Sequence, residues 1–251
     1  MGKRSLPLLL LLLVFGACTN AARLQEQSDM HMRMGTAYLA SSQYNGALKE
    51  LLLAEKLTPE DSRVHYLLGI TYYGKRLDEK AVAEFQRAIA LNPNDSESLN
   101  YLGAVYLDKG RWDDAIASFK LALSNILYDS PTATLYNMGR AYYEKGQYAL
   151  AMKLYQDAAA KEPDSVLMPL IEKNMGMTAL AKGDLEDAVR HLQKSIVLSP
   201  SLVESHYWLG MCYRQQGRSH DAAVSFQAAV RLAPESEYGR KAGDQLKITP
   251  P

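Results

Sequence analysis

The chain lacks most of what marks a catalytic or nucleic-acid-binding protein. Neither sign of charge is in excess, with 28 lysines and arginines against 28 aspartates and glutamates. Without a basic surplus there is no electrostatic footprint for nucleic acid or for an anionic lipid surface. There is no glycine-rich phosphate loop, no G-x-S-x-G elbow and no H-E-x-x-H pair. No low-complexity segment or long linker interrupts the 251 residues. Cysteine is scarce, Cys18 and Cys212 being the only two. The apolar run Leu6–Phe15 is too short for a spanning helix, which needs about twenty residues. The sequence therefore predicts no catalytic residue, metal, cofactor, nucleic acid or small-molecule substrate.

What is present is a period. Gly35, Gly69 and Gly103 stand 34 residues apart, each followed three residues on by a tyrosine (Tyr38, Tyr72, Tyr106). The register continues through Gly139, Gly176 and Gly210. With each repeat numbered from seven residues before its glycine, position 20 is Ala47, Ala81, Ala115, Ala151, Ala188 and Ala222. Position 24 is large (Leu51, Phe85, Phe119, Tyr155, Leu192, Phe226), and position 27 is small (Ala54, Ala88, Ala122, Ala158, Ser195, Ala229). Position 32 is proline in five of six: Pro59, Pro93, Pro163, Pro200 and Pro234. This pattern resembles the tetratricopeptide repeat, a helix–turn–helix unit. The resemblance implies an all-α, right-handed solenoid of six repeats over residues 28–234, with a cap and tail over 235–251.

Each position has a physical reason. Positions 4, 7, 8 and 11 share one helical face, and position 8 must be small for the paired helix to approach. Positions 20, 24 and 27 form the matching stripe on the second helix. Proline at 32 ends that helix. A glycine near position 15 makes the turn between helices in four repeats, at Gly110, Gly146, Gly183 and Gly217. His31, His65 and His206 fall at packing position 4 of three different repeats, which reads as core or rim and not as metal ligation. Cys212 takes a position held elsewhere by small residues and reads as buried packing. Asp113-Asp114 and Glu186-Asp187 open second helices, where they complement the helix dipole.

The N-terminus carries a separate signal. Lys3 and Arg4 precede the apolar run, and Phe15-Gly16-Ala17-Cys18 closes it, the layout of an export signal. Small residues followed by cysteine resemble a bacterial lipobox, with Phe15 in place of the usual leucine. The resemblance implies a signal peptide over 1–17, lipidation of Cys18, and a lipidated tether over 18–27. Cys212 would then have no partner for an intrachain disulfide. Thr19 in place of aspartate resembles outer-membrane sorting, so the expected location is the periplasmic face of the outer membrane of a Gram-negative bacterium. Nine tether residues, Thr19–Gln27, reach at most roughly 30 Å if extended, which keeps the array close to the membrane.

Positions 2, 5, 9 and 12 share one face of the first helix, and in the repeat family that face lines a concave groove. Here it carries Met32, Leu39, Tyr66, Ile70, Tyr73, Leu107, Tyr136, Arg140, Tyr143, Leu170, Met177, Leu180, Tyr207, Met211 and Arg214. Tyrosine, methionine and arginine give large, adaptable contact area, so this face is the predicted partner site. The lysines and asparagines of a chaperone-type carboxylate clamp are not there, apart from Asn100 and Lys173.

Repeat three lacks its proline and runs instead Asn125-Ile126-Leu127-Tyr128-Asp129-Ser130-Pro131. This insertion (Leu127, Tyr128, Pro131), with the lipobox, short tether and six repeats, resembles the type IV pilus pilotins of the PilF/PilW/Tgl type. The resemblance implies a lipoprotein that brings secretin subunits to the outer membrane and promotes their multimerisation, in support of pilus-dependent motility. The alternative is a repeat lipoprotein that serves as an adaptor for periplasmic or peptidoglycan-processing complexes.

Overall fold

The computed structural model describes the backbone of residues 6–248 and the side chains of residues 20–248. Cys18, and with it the expected lipid site, lies outside the described side chains. Among the described residues there are thirteen helices and no strand. They are α1 (Leu6–Ala40), α2 (Tyr44–Leu57), α3 (Ser62–Gly74), α4 (Asp78–Leu91), α5 (Ser96–Asp108), α6 (Trp112–Ser124), α7 (Pro131–Glu144), α8 (Tyr148–Lys161), α9 (Met168–Lys182), α10 (Leu185–Leu198), α11 (Val203–Gln215), α12 (Ser219–Leu232) and α13 (Glu237–Ile248). No helix among the described residues is long and apolar enough to cross a membrane. The chain divides into two compact units, the first ending at Lys109 and the second beginning at Gly110.

Within each unit the predicted stripes meet. All six residues at position 20 and all six at position 27 are fully buried, and those at position 24 are 1% exposed or less. A Cβ on Gly69 would lie 2.5 Å from the Phe85 ring, and one on Gly210 would lie 2.6 Å from that of Phe226. The glycine at position 8 is thus the space into which position 24 packs, which is why these two positions repeat together. Five second helices end two residues before their proline, at Leu57, Leu91, Lys161, Leu198 and Leu232, as the missing N–H dictates. The only non-alanine at position 27, Ser195, satisfies its buried hydroxyl on the Pro169 carbonyl and Ser205 Oγ, each at 2.7 Å.

Position 15 adopts a left-handed backbone in every repeat. Gly110, Gly146, Gly183 and Gly217 supply it at φ of 70°, 72°, 87° and 73°, while Ser42 (57°) and Arg76 (59°) supply it in the first two repeats. Those two residues accept a strain of roughly 1–2 kcal/mol each because the hairpin geometry demands it. On the same edge, Lys75, Lys109 and Lys145 reach back to Asn45, Glu79 and Asp113 of the preceding repeat.

Two terminal features sharpen the sequence reading. The tether does not extend: α1 runs through it, so its nine residues advance only about 14 Å. Ala21, Ala22, Leu24 and Gln25 are good helix formers, and Gln25 Nε2 donates to Asp29 Oδ1 and Asp61 Oδ2, both at 3.1 Å. At the other end α13 packs on α11 and α12, with Ala242 fully buried and Leu246 against the same cluster. Counted in the repeat register, α13 stands where a seventh first helix would.

Candidate functional site

The predicted face is built by α1, α3 and α5 in the first unit. A surface trough of about 510 Å³ is lined by Asp29, Met32, Arg33, Thr36, Arg63, Tyr66 and Leu67. Arg63 pairs with Asp29 at 2.9 Å and with Asp61 at 2.6 Å. Burial alone would raise the Asp61 carboxyl, but hydrogen bonds from Arg63 and Gln25 hold it below the usual range. Leu39, Ile70 and Tyr73 are half-buried along this face, and the Tyr73 hydroxyl donates to Asp108 Oδ2 at 2.6 Å.

The second unit carries a more enclosed cavity of about 240 Å³. It is lined by Tyr136, Arg140, Tyr143 and Glu144 of α7, Tyr155 of α8, Lys173, Asn174 and Met177 of α9, and Tyr238 of α13. The Arg140 guanidinium lies 6.0 Å from the Tyr136 ring centroid, within cation–π range. Lys173 Nζ is tied to Glu204 Oε2 at 2.9 Å. The Asn174 side chain lies against the hydroxyls of Tyr136 and Tyr155. Burial raises the phenols of Tyr136, Tyr143, Tyr155 and Tyr238 above their ordinary value. They therefore stay protonated, and available as donors, at any physiological pH. Leu180, Met211 and Arg214 continue the face as half-buried residues, with Arg214 hydrogen-bonded to Gln245 of α13.

Four of the predicted face residues, Met32, Leu107, Tyr136 and Tyr207, are 9% exposed or less: all four act in packing, and Met32 and Tyr136 also keep an edge in the trough and the cavity. The reason at position 5 is a recurring ring pair. Tyr66 meets Phe85 at 6.5 Å, Tyr136 meets Tyr155 at 6.0 Å and Tyr207 meets Phe226 at 6.0 Å, all tilted by 46–52°. Position 5 wedges onto position 24 within its own hairpin, so an aromatic there belongs to the core first. Tyr207 is covered further by Tyr238 at 5.4 Å.

The insertion divides by residue. Tyr128 is half-buried and its hydroxyl lies 3.0 Å from Thr134 Oγ1, so it packs on repeat four. Leu127 is 80% exposed and Ile126 is 95% exposed, so neither extends α6. Pro131 opens α7, where its missing N–H is harmless.

The structure also reveals a clasp that the sequence did not. His31 Nδ1 meets Glu50 Oε2 at 2.8 Å, His65 Nδ1 meets Glu84 Oε2 at 2.8 Å, and His191 Nδ1 meets Glu172 Oε2 at 2.7 Å. Each joins positions 4 and 23, with the partners exchanged in repeat five. The spacing of 19 residues spans the hairpin and matches no helical or motif period. Around His65 a further carboxylate, Glu55, comes within 4.8 Å. His65 Nε2 lies 2.8 Å from the Pro59 carbonyl, so both ring nitrogens are already engaged within the fold. Cys212 is fully buried, and burial pushes its thiol up to about 12, an inert packing residue at neutral pH.

Helical hairpins repeated in register, with an open first-helix face, define a repeat scaffold whose business is holding another protein. The chain belongs to the tetratricopeptide repeat family: models of that repeat match residues 32–96 and 173–237, and residues 94–161. Photosystem I assembly protein Ycf3 of Acaryochloris marina is 32% identical over 116 residues, 46% of this chain and 68% of that protein. Protein O-mannosyl-transferase TMTC2 of Homo sapiens is 28% identical over 105 residues, 42% of this chain, but this chain spans only 13% of it. Among solved structures, PilW, a type IV pilus biogenesis factor, superposes with a TM-score of 0.78 at 21% identity, covering 85% of this chain and 97% of that one. PilF of Pseudomonas aeruginosa gives 0.76 at 17% identity, covering 88% and 99%.

Proposed function

We propose that this chain is a pilotin: an outer-membrane lipoprotein that binds secretin subunits and promotes their assembly into the ring through which type IV pili pass. The observation that carries the reading is the fold shared with PilW and PilF over nearly the whole of all three chains. At these identities the likeness speaks for the fold, so the rest comes from the sequence. Cys18 behind Phe15-Gly16-Ala17 is a lipidation site, and three acyl chains anchor stably because each buried CH₂ adds about 0.8 kcal/mol. The half-buried tyrosines, methionines and arginines of the first helices supply the contact surface. The lipid supplies location and the repeats supply recognition, and fixing both partners at one membrane raises their effective concentration without new contacts.

The test is a blot for heat-stable secretin multimers in outer membranes from cells lacking this chain, with Cys18→Ala as a second strain. Multimers are expected to vanish in the deletion while monomers persist, and secretin is expected to be misplaced in the Cys18→Ala strain. Normal multimers in the deletion would overturn the pilotin reading and favour an adaptor of wall-processing complexes.

A further inference from the structure

We infer that the cavity of the second unit is a recognition pocket for a single carboxylate carried by the partner; this rests on the first-helix face being where the partner binds. Arg140 is the key group. Its guanidinium is half-buried at the cavity wall, and among the described residues no carboxylate lies within ion-pair distance of it. Its guanidinium lies over the face of Tyr136, 6.0 Å from the ring centroid, a contact that does not use its five N–H donors. A guanidinium in this setting presents a bidentate fork suited to an oxyanion.

The rest of the lining selects among anions. Lys173 is already neutralised by Glu204 at 2.9 Å, so the interior offers one uncompensated positive charge. Glu144, four residues after Arg140 and exposed at the rim, adds a negative charge to the lining. One guanidinium matches the charge of a monoanion; a phosphate dianion carries a much larger desolvation cost into the same cavity, which a single cation beside a carboxylate does not offset. Tyr143 and Tyr238, from α7 and α13, bring neutral hydroxyl donors and ring faces. A volume of about 240 Å³ admits one side chain or one chain terminus and nothing larger. Tyr238 gives α13 a part in recognition beyond covering the last repeat: it is a wall of the pocket, placed there by its contact with Tyr207 at 5.4 Å.

The carboxylate can come from an Asp or Glu side chain within a partner segment or from a chain terminus, and small probes separate the two. The experiment follows the Arg140 Nε–H signal of the full chain by NMR during titration with three peptides. They are acetylated, amidated Ala-Glu-Ala; its Ala-Gln-Ala counterpart; and acetylated tri-alanine with a free carboxyl terminus. Inorganic phosphate is the fourth probe. A saturable shift with the first peptide identifies a side-chain carboxylate, and one with the third identifies a terminus. Either is expected to bind about tenfold more tightly than the Gln peptide, the worth of one charge-assisted pair. Arg140→Gln is expected to abolish the response, and Glu144→Gln to tighten it about two- to threefold by removing a competing charge. Equal response to all three peptides, no response to any carboxylate, or preference for phosphate would overturn the inference. The wild-type titrations need no variant to fold. None of the probes is a secretin fragment, so failure here leaves the pilotin reading standing. Normal secretin multimers in deletion cells would likewise leave the pocket standing.

Discussion

Phe226→Ala is expected to lower the stability of the second unit by about 3–5 kcal/mol, the usual range for emptying a buried aromatic site. The ring is fully buried, in a cluster with Leu192, Leu209, Cys212, Tyr213, Ala229 and Ala242. It fills the space left by Gly210 and supports Tyr207 at 6.0 Å. Tyr207 in turn supports Tyr238 at 5.4 Å, so the loss reaches α13 and the cavity wall. The alanine cannot be compensated by collapse, because position 8 is already glycine and position 20 already alanine: neither helix can move closer without its backbone meeting the other. In an array held by nearest-neighbour contacts, losing one interface loosens everything beyond it. Urea unfolding followed by far-UV circular dichroism is expected to show an early transition attributable to the repeats of the second unit. A single transition displaced by less than about 1 kcal/mol would show that the position 8–24 packing carries far less than its burial implies.

Glu172→Ala is expected to cost about 3 kcal/mol at neutral pH, the low end for breaking a buried charged cluster. Glu172 is 1% exposed, with its carboxylate held by His191 Nδ1 at 2.7 Å and Lys194 Nζ at 2.6 Å. The low end applies because Lys194 is largely exposed and regains water when its partner is removed. Burial by itself raises the Glu172 carboxyl, but the His191 and Lys194 hydrogen bonds outweigh it and hold the group below its ordinary value. A depressed folded value means that the stabilisation is fully present above the unfolded value of about 4.3. It is lost as pH falls through the folded value, because the unfolded chain then takes up the proton more readily. The stability gap between the wild-type chain and Glu172→Ala should therefore narrow as pH falls below about 4. Urea titrations at stepped pH measure it. A gap that stays constant into strong acid would show that the substitution acts through lost packing and not through charge.

The fold was legible because its determinants recur. A residue that must be glycine beside a large side chain, at fixed positions in six hairpins, leaves a period that needs no alignment. Turn chemistry was legible where glycine supplied it and silent at Ser42 and Arg76, since any residue can be forced into that conformation when the helices around it are set. The His–Glu clasps were not legible: partners 19 residues apart lie on different helices, and only hairpin closure brings them together. The candidate site was half legible. Helical spacing places positions 5, 9 and 12 on one face, but spacing does not say how far a side chain reaches inward. Tyr136 and Tyr207 lean onto the position-24 ring and are largely buried, Tyr136 keeping only an edge in the cavity, whereas Arg140 and Tyr143, one and two turns beyond Tyr136, line it as half-buried residues. Tyr238 was missed because α13 reads as a polar cap, and its place in the register of a seventh first helix becomes evident only from its packing on α11 and α12.

The central claim is that a secretin-type partner is held on the first-helix face. In-cell photocrosslinking tests it directly, with a photoreactive phenylalanine placed at Tyr143 on that face or at Val224, an exposed position of α12. The account predicts that secretin is captured from Tyr143 and not from Val224. Capture from Val224 alone, or crosslinks from Tyr143 that contain no secretin, would contradict it.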